Sequence, residues 1–470
     1  MLFNSFSFIF LFLPVVLCGY YLIGNKRLQL FFLFSSSLFF YAYWSHTYVF
    51  LLLFTVVLDF YIGQWLFRIQ NHRHRKALLL TSIIANLSVL GFFKYYNFFT
   101  ESLNGAFSFL GTVPVFPHLD LVLPIGISFY TFQSMSYVLD VYRKTASSHG
   151  SLLEFASYVT LFPHQISGPL VRHNVIVPQL EDSKTFVFNS QNFWKGICFF
   201  VFGLAKKMLI ADRIAEAIDP IIGNLAIASN LEALLAMVGY TTQLYFDFSG
   251  YSDMAVGLGL MMNIRFPANF NSPYKSRSVT EFWKRWHITL SAWLKDYLYI
   301  SLGGNRKGAI LTYRNLLLTM AIGGLWHGAN WTFVVWGVVH GLALAVERFC
   351  KDINLDILKN TYLKWVFTML LVSVAWVFFR ANSVSDAIVW LTKVFFWDGE
   401  FDTDLGLMPN KFRDKFYVLC SVGVLAALFG KNTWEMSFAP KLKTAFVVSF
   451  LFVLCLMYMG EQSPFLYFQF

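Results

Sequence analysis

Apolar runs long enough to cross a lipid bilayer recur along the whole of this chain, separated by short polar and basic connections. Backbone in hydrocarbon must satisfy its own hydrogen bonds, so such a chain folds into membrane helices, about 20 residues for each crossing. The runs cover residues 2–23, 28–44, 48–67, 77–99, 121–141, 193–210, 231–246, 311–326, 332–346, 363–379, 416–429 and 445–459. Several are short or broken by Pro and Gly, which sets the expectation at about eleven transmembrane helices in an all-α polytopic protein, with re-entrant or interfacial helices besides. Composition agrees: 57% of residues are hydrophobic and 13% charged, against roughly 25% charged in a soluble domain.

No repeat or linker divides the chain. The least apolar stretches (100–120, 143–151, 172–192, 265–281 and 398–415) are each too short for a soluble domain, so residues 1–470 read as one integral-membrane domain. Cys18, Cys198, Cys350, Cys420 and Cys455 show no CxxC spacing and read as small buried residues, not a disulfide framework or metal site. The net charge of +10 comes without soluble basic helices that could enter a groove, which excludes nucleic acid and leaves cytoplasmic basic loops as its source. Lys26 and Arg27 follow the first apolar run, the reverse of a secretory signal peptide, so that segment is expected to be retained with the N-terminus outside. The basic stretch Arg68-Ile-Gln-Asn-His-Arg-His-Arg-Lys76 comes an even number of crossings later, on the same cytoplasmic side.

Within an apolar run stands Gly323-Gly324-Leu325-Trp326-His327-Gly328-Ala329-Asn330-Trp331. An ionisable side chain at membrane depth is disfavoured unless it has a use, and imidazole is suited to moving a proton near neutral pH. The glycines leave room for a substrate or for a second backbone. A histidine simply hydrogen-bonded between packed helices is the plainer alternative.

A second constellation runs over residues 281–300. At helical period Trp283, His287, Leu290, Leu294 and Tyr297 or Leu298 share one stripe, while Lys284, Ser291 and Lys295 share another. The expectation is an amphipathic helix lying in, or re-entering from, the cytoplasmic face, with His287 on its apolar side. An interfacial anchor explains the pattern equally well. Together the two histidines, 287 and 327, point to a polar site reached from the cytosol. A zinc protease would need His-Glu-x-x-His, which is absent. A serine hydrolase would need Gly-x-Ser-x-Gly, which Phe248-Ser249-Gly250 does not supply. His72, His74, His164 and His173 fall in basic or Pro-containing segments that read as loops, unlike the paired helical histidines of a di-iron site. Metal-free acid/base chemistry remains.

At these residues the chain resembles the membrane-bound O-acyltransferases. The Trp-His-Gly core at His327 and the preceding Phe-Trp-x-x-Trp-His-x-x-Leu-Ser-x-Trp-Leu-x-Asp-Tyr-Leu-Tyr-Ile over 282–300 carry the likeness. It extends to Phe162-Pro-His-Gln-Ile-Ser-Gly-Pro169 with Arg172-His173, to Tyr245-Phe-Asp-Phe-Ser-Gly-Tyr-Ser-Asp253, to Leu302-Gly-Gly-Asn-Arg306 and to the terminal Ser463-Pro-Phe-Leu-Tyr-Phe-Gln-Phe470. These are similar to the bacterial branch that O-acetylates alginate and other cell-surface polysaccharides. The resemblance implies a rosette of helices around a tunnel in the bacterial inner membrane, with a catalytic core at about 279–345. It also implies His327 as the catalytic residue and His287 as the second polar site residue. An extracytoplasmic acetyltransferase partner and polysaccharide export machinery are implied besides the surrounding lipid, with alginate, peptidoglycan and cellulose all open as acceptors.

Acyl transfer from a thioester to a hydroxyl needs a base on the alcohol and donors at the developing oxyanion. His327 is the expected base, and His287 would orient the donor or hydrogen-bond the carbonyl. Trp283, Arg285, Trp326 and Asn330 are expected substrate-binding residues, with no metal and no tightly bound cofactor. Lys284, Arg285, Arg306 and Lys307 would suit a phosphate-bearing donor such as acetyl-CoA, or cytoplasmic positioning alone would account for them. Asp247 and Asp253 would bond tunnel residues or join helices. A transporter or channel would also explain broken segments such as Pro124-Ile-Gly126, though it gains no support from repeat symmetry. A scaffold for an export machine would tolerate loss of both histidines.

Overall fold

Every apolar run becomes a helix. The computed structural model describes all residues except Thr112, Pro114, His149, Asp356, Ile357, 398–400, 461–464 and 467–470, and the described residues form helices and turns with no strand. In chain order the helices are α1 (Leu13–Leu22), α2 (Lys26–Ala42), α3 (His46–Arg68), α4 (His72–Leu90), α5 (Tyr96–Phe109), α6 (Ile127–Tyr142), α7 (Leu152–Thr160), α8 (His173–Glu181), α9 (Ser190–Ala205) and α10 (Asp212–Gly223). There follow α11 (Asn230–Met261), α12 (Val279–Arg285), α13 (Ile288–Trp293), α14 (Ala309–His327), α15 (Trp331–Asp352), α16 (Thr361–Arg380), α17 (Val384–Phe395), α18 (Asn410–Arg413), α19 (Phe416–Phe429) and α20 (Leu442–Met457). Asn25, Asn71, Asn330 and Asn360 stand just before α2, α4, α15 and α16, and each side chain accepts first-turn amides that have no partner within the helix.

Among the described residues four helical stretches are long and apolar enough to cross a membrane: His46–Arg68, His72–Phe109, Trp331–Asp352 and Thr361–Arg380. Shorter apolar helices are Ser7–Leu22, Phe416–Phe429 and Leu442–Met457. The protein is therefore a multi-pass helical membrane protein. His72 and His74 open α4 and His173 opens α8, so the loops expected there begin as helix instead.

The chain divides into two compact units, Met1–Phe200 with Met254–Pro267, and Val201–Asp253 with Ala268–Phe470. In the first, buried Asp59 of α3 accepts from Ser82 Oγ at 2.6 Å and Asn86 Nδ2 at 2.8 Å, tying α3 to α4. Arg75, within the basic stretch, is buried: its guanidinium binds the carbonyls of Ile69, just past α3, and of Val141 and Tyr142 in the last turn of α6. In the second unit α14 and α15 approach backbone to backbone. A Cβ on Gly324 would overlap the Phe333 carbonyl, and one on Gly337 the Met320 carbonyl. Of the two uses the sequence allowed Gly324, the close approach of a second backbone is the one the structure shows.

Asp247 and Asp253 join helices. Lys207 bonds Asp247 and lies 2.7 Å from Asp212, while Lys206 bonds Asp253. Leu466 donates its amide to Asp247 at 3.2 Å, and Tyr251 meets Phe465 edge-on at 4.5 Å. Of the terminal motif 463–470, only these two residues lie among those described.

Candidate active site

The continuous amphipathic helix expected over 281–300 is interrupted at the residue of most interest. α12 ends at Arg285, α13 begins at Ile288, and the chain then widens into a π-helical segment, Leu294–Tyr299. Between them His287 takes a left-handed backbone, φ 42° and ψ 53°, a conformation costly for a residue with a Cβ. The break has a partner strand of loop: Asn271 donates its amide to the Arg285 carbonyl at 2.9 Å and Ile288 donates to the Asn269 carbonyl at 2.9 Å. Those two bonds hold the chain while it reverses hand. His287 is fully buried there, and Leu290, Leu294 and Tyr297 of the same expected stripe are buried too.

His327 is the last residue of α14 and is also buried. The two imidazole rings stand 6.4 Å apart between centroids, inclined by 60°. Aromatic rings enclose them. Phe248 meets His287 edge-on at 4.8 Å, while Trp336 and Phe379 meet His327 edge-on at 5.1 Å and 5.2 Å. Trp326 lies 6.4 Å from His287 and 5.1 Å from His327, next to both rings. Burial in this shell lowers the His287 imidazole to about 3, so it is neutral at physiological pH.

The other expected substrate-binding residues are arranged differently. Trp283 donates its indole N–H to His340 Nδ1 at 3.3 Å and meets Trp336 at 5.7 Å, one ring removed from His327. Arg285 pairs with Glu281 at 2.9 Å and bonds the Asn271 carbonyl, supporting the turn around His287. Asn330 caps α15, accepting from Thr332 N at 3.0 Å and donating to the Asn382 carbonyl at 2.8 Å, so both ends of its amide are engaged. His340, fully buried on α15, is a further histidine of the cluster, outside the residues expected from the sequence. Its signal was a second His-Gly pair, His340-Gly341, inside another apolar run.

A pocket of about 610 Å³ opens beside these helices, lined by Lys295, Arg306, Arg348 and Lys351 together with Thr280, Tyr299, Leu316 and Leu344. Among the described lining residues the one carboxylate is Glu347, which accepts the Thr280 amide at 2.9 Å and hydroxyl at 2.7 Å; Arg348 pairs with Asp352 at 3.0 Å, so Lys295, Arg306 and Lys351 give the pocket its net positive charge. Arg306 is the one expected donor-binding cation that lines it; Lys284 is exposed elsewhere on α12. Leu316 lies on α14 with His327, about 16 Å along the axis at 1.5 Å per residue.

Residues 133–383 match the MBOAT, membrane-bound O-acyltransferase family, a stretch that includes both histidines. The chain is 47% identical to the probable alginate O-acetylase AlgI of Pseudomonas aeruginosa, across 82% of this chain and 73% of that one. It is 35% identical to the peptidoglycan O-acetyltransferase of Helicobacter pylori, across 100% of this chain and 98% of the relative. Identity to the teichoic acid D-alanyltransferase of Bacillus subtilis is 27%, across 73% and 86% of the two chains.

Proposed function

The chain belongs to the membrane-bound O-acyltransferase family and is an O-acyltransferase, and we propose that it moves an acetyl group from a cytosolic thioester across the membrane toward hydroxyls of an exported, alginate-like polysaccharide. The observation that carries this reading is the pair of buried imidazoles 6.4 Å apart, brought together from two chain segments inside an aromatic shell. Such a shell excludes water, which would otherwise compete with the sugar hydroxyl for the acyl group.

In the proposed reaction His327 accepts the proton of the attacking hydroxyl as its oxygen bonds the thioester carbonyl carbon. The tetrahedral intermediate then expels the thiolate, and His327 returns the proton to it, for about 10²–10⁴-fold of the rate. His327 ends α14, where the negative end of the helix dipole favours the transient imidazolium. The cationic pocket would hold donor phosphates, with an extended pantetheine arm reaching along α14 toward the histidines. The donor is acetyl-CoA or another acyl thioester, with no tightly bound cofactor.

About eleven crossings, a rosette around a tunnel, an inner-membrane location and an outside N-terminus belong to the same reading, since one protein must join a cytosolic donor to an outside acceptor. So does a final transfer by an extracytoplasmic partner. Peptidoglycan is a second acceptor to test, because the likeness to the peptidoglycan O-acetyltransferase runs the full length of this chain. The experiment is consumption of an acetyl thioester by the protein in proteoliposomes, with glycan O-acetylation measured in cells with and without it. Solute movement without thioester cleavage would make the protein a transporter and overturn the proposal.

A further inference from the structure

We infer that Asn269 is a positioning residue that fixes which nitrogen of His287 carries the proton. This role rests on the proposed function of the histidine pair, and the geometry that fixes it starts at a group that can only donate. The Thr289 backbone amide, which can only donate, lies 3.3 Å from Asn269 Oδ1, and the Thr289 hydroxyl donates to the same oxygen at 2.9 Å. The oxygen end of the Asn269 amide therefore faces the turn, and its NH₂ faces Ser252 Oγ at 3.3 Å. His287 Nδ1 is 3.1 Å from that oxygen. Facing an acceptor, Nδ1 must carry the hydrogen, and in a neutral imidazole that leaves the lone pair on Nε2.

One residue thus secures three in a row. The Asn269 carbonyl takes the Ile288 amide while its side chain takes His287 and Thr289, which also stabilises the left-handed backbone at His287. Asn269 is itself buried, so water does not compete for its oxygen.

The consequence concerns chemistry. A neutral His287 held in this tautomer accepts a hydrogen bond at Nε2 and cannot donate one there. Its part in acyl transfer is to receive an N–H or O–H, from the acceptor hydroxyl or from the neighbouring His327, and the oxyanion must find its donors elsewhere.

The test compares Asn269→Leu, which removes the acceptor oxygen, with Asn269→Asp, which keeps it and adds a charge, in reconstituted protein turning over an acetyl thioester. Asn269→Leu should lower kcat by 10- to 100-fold with the donor KM changed less than about twofold, as expected when a supporting partner of a reactive group is lost. Asn269→Asp should keep kcat within several-fold while the acid limb of kcat/KM moves to higher pH, because a carboxylate beside Nδ1 favours imidazolium. A role in folding alone would leave that limb in place. Wild-type kcat in Asn269→Leu, or an unmoved limb in Asn269→Asp, overturns the assignment. His287→Ala is measured alongside. A large loss there with none in Asn269→Leu removes the positioning role alone, whereas wild-type turnover in both removes the reading of the site with it.

Discussion

Trp283 donates its indole N–H to Nδ1 of His340, joining α12 to α15 behind the His327 ring. An indole nitrogen only donates, so His340 accepts at Nδ1 and carries its proton on Nε2, the opposite tautomer to His287. The same side chain is thus set in two opposite states within one aromatic cluster.

Trp283→Phe keeps an aromatic ring but deletes the donor. It should destabilise the protein by about 1–3 kcal/mol, because a buried imidazole nitrogen loses its partner. Thermal unfolding in detergent is the check, and an unchanged melting temperature would show that the bond adds nothing.

His327→Ala should reduce acyl transfer by at least ~10²-fold while the protein remains inserted and folded. His287→Gln, whose amide oxygen still accepts, should retain more activity than His287→Ala. Quantified glycan O-acetylation at matched expression reads both. Near-wild-type acetylation in the His327 variant would remove it from the mechanism.

Neutralising Lys295, Arg306 or Lys351 to Gln should raise the KM for a phosphate-bearing donor more than it lowers kcat, since the pocket holds ground and transition states alike. Added salt should produce the same trend in the wild-type protein, by screening. A fall in kcat with constant KM would place the pocket outside donor binding.

Stability should fall with acid. Burial lowers His287 to about 3 and His164 to about 4, below the ordinary 6.5. Between those values and 6.5 the unfolded chain binds more protons than the folded one, so stability is complete above about pH 6.5 and is lost progressively below it. Melting curves at pH 5 and pH 7.5 give the sign; a higher melting temperature at pH 5 would contradict it.

Cysteines placed at Lys26 and within the basic stretch 68–76 should be labelled from the cytoplasm, and one at His46 from outside, in a background lacking the five native cysteines. Labelling of the basic stretch from outside would overturn the topology and the cytosolic route for the donor.

The positions of the helices were legible because apolar run length and Asn caps are local signals, as at Asn71 before α4 and Asn330 before α15. The two histidines of the candidate site, which lie 6.4 Å apart, were legible too, since His287 and His327 stand out chemically in apolar surroundings. What sequence could not supply was the left-handed break at His287, which the stripe through Trp283, Leu290 and Leu294 masked with a continuous helical pattern. That break depends on hydrogen bonds accepted by Asn269 and donated by Asn271, which lie outside the helical stripe around the histidine. Asn330, expected to bind substrate, has its amide at the start of α15, a capping role its place beside Trp331 does not announce.

The contact of Gly324 with the Phe333 carbonyl gives the hairpin of α14 and α15 a stiffness that side-chain packing alone would not. Bilayers differ in thickness, and membrane helices ordinarily respond by tilting or sliding against their neighbours. Two helices whose main chains touch have no compressible layer between them, so they tilt as one body. His327, at the tip of that hairpin, is therefore insulated from lipid composition, and the enzyme's chemistry is expected to keep one geometry in thin and thick membranes.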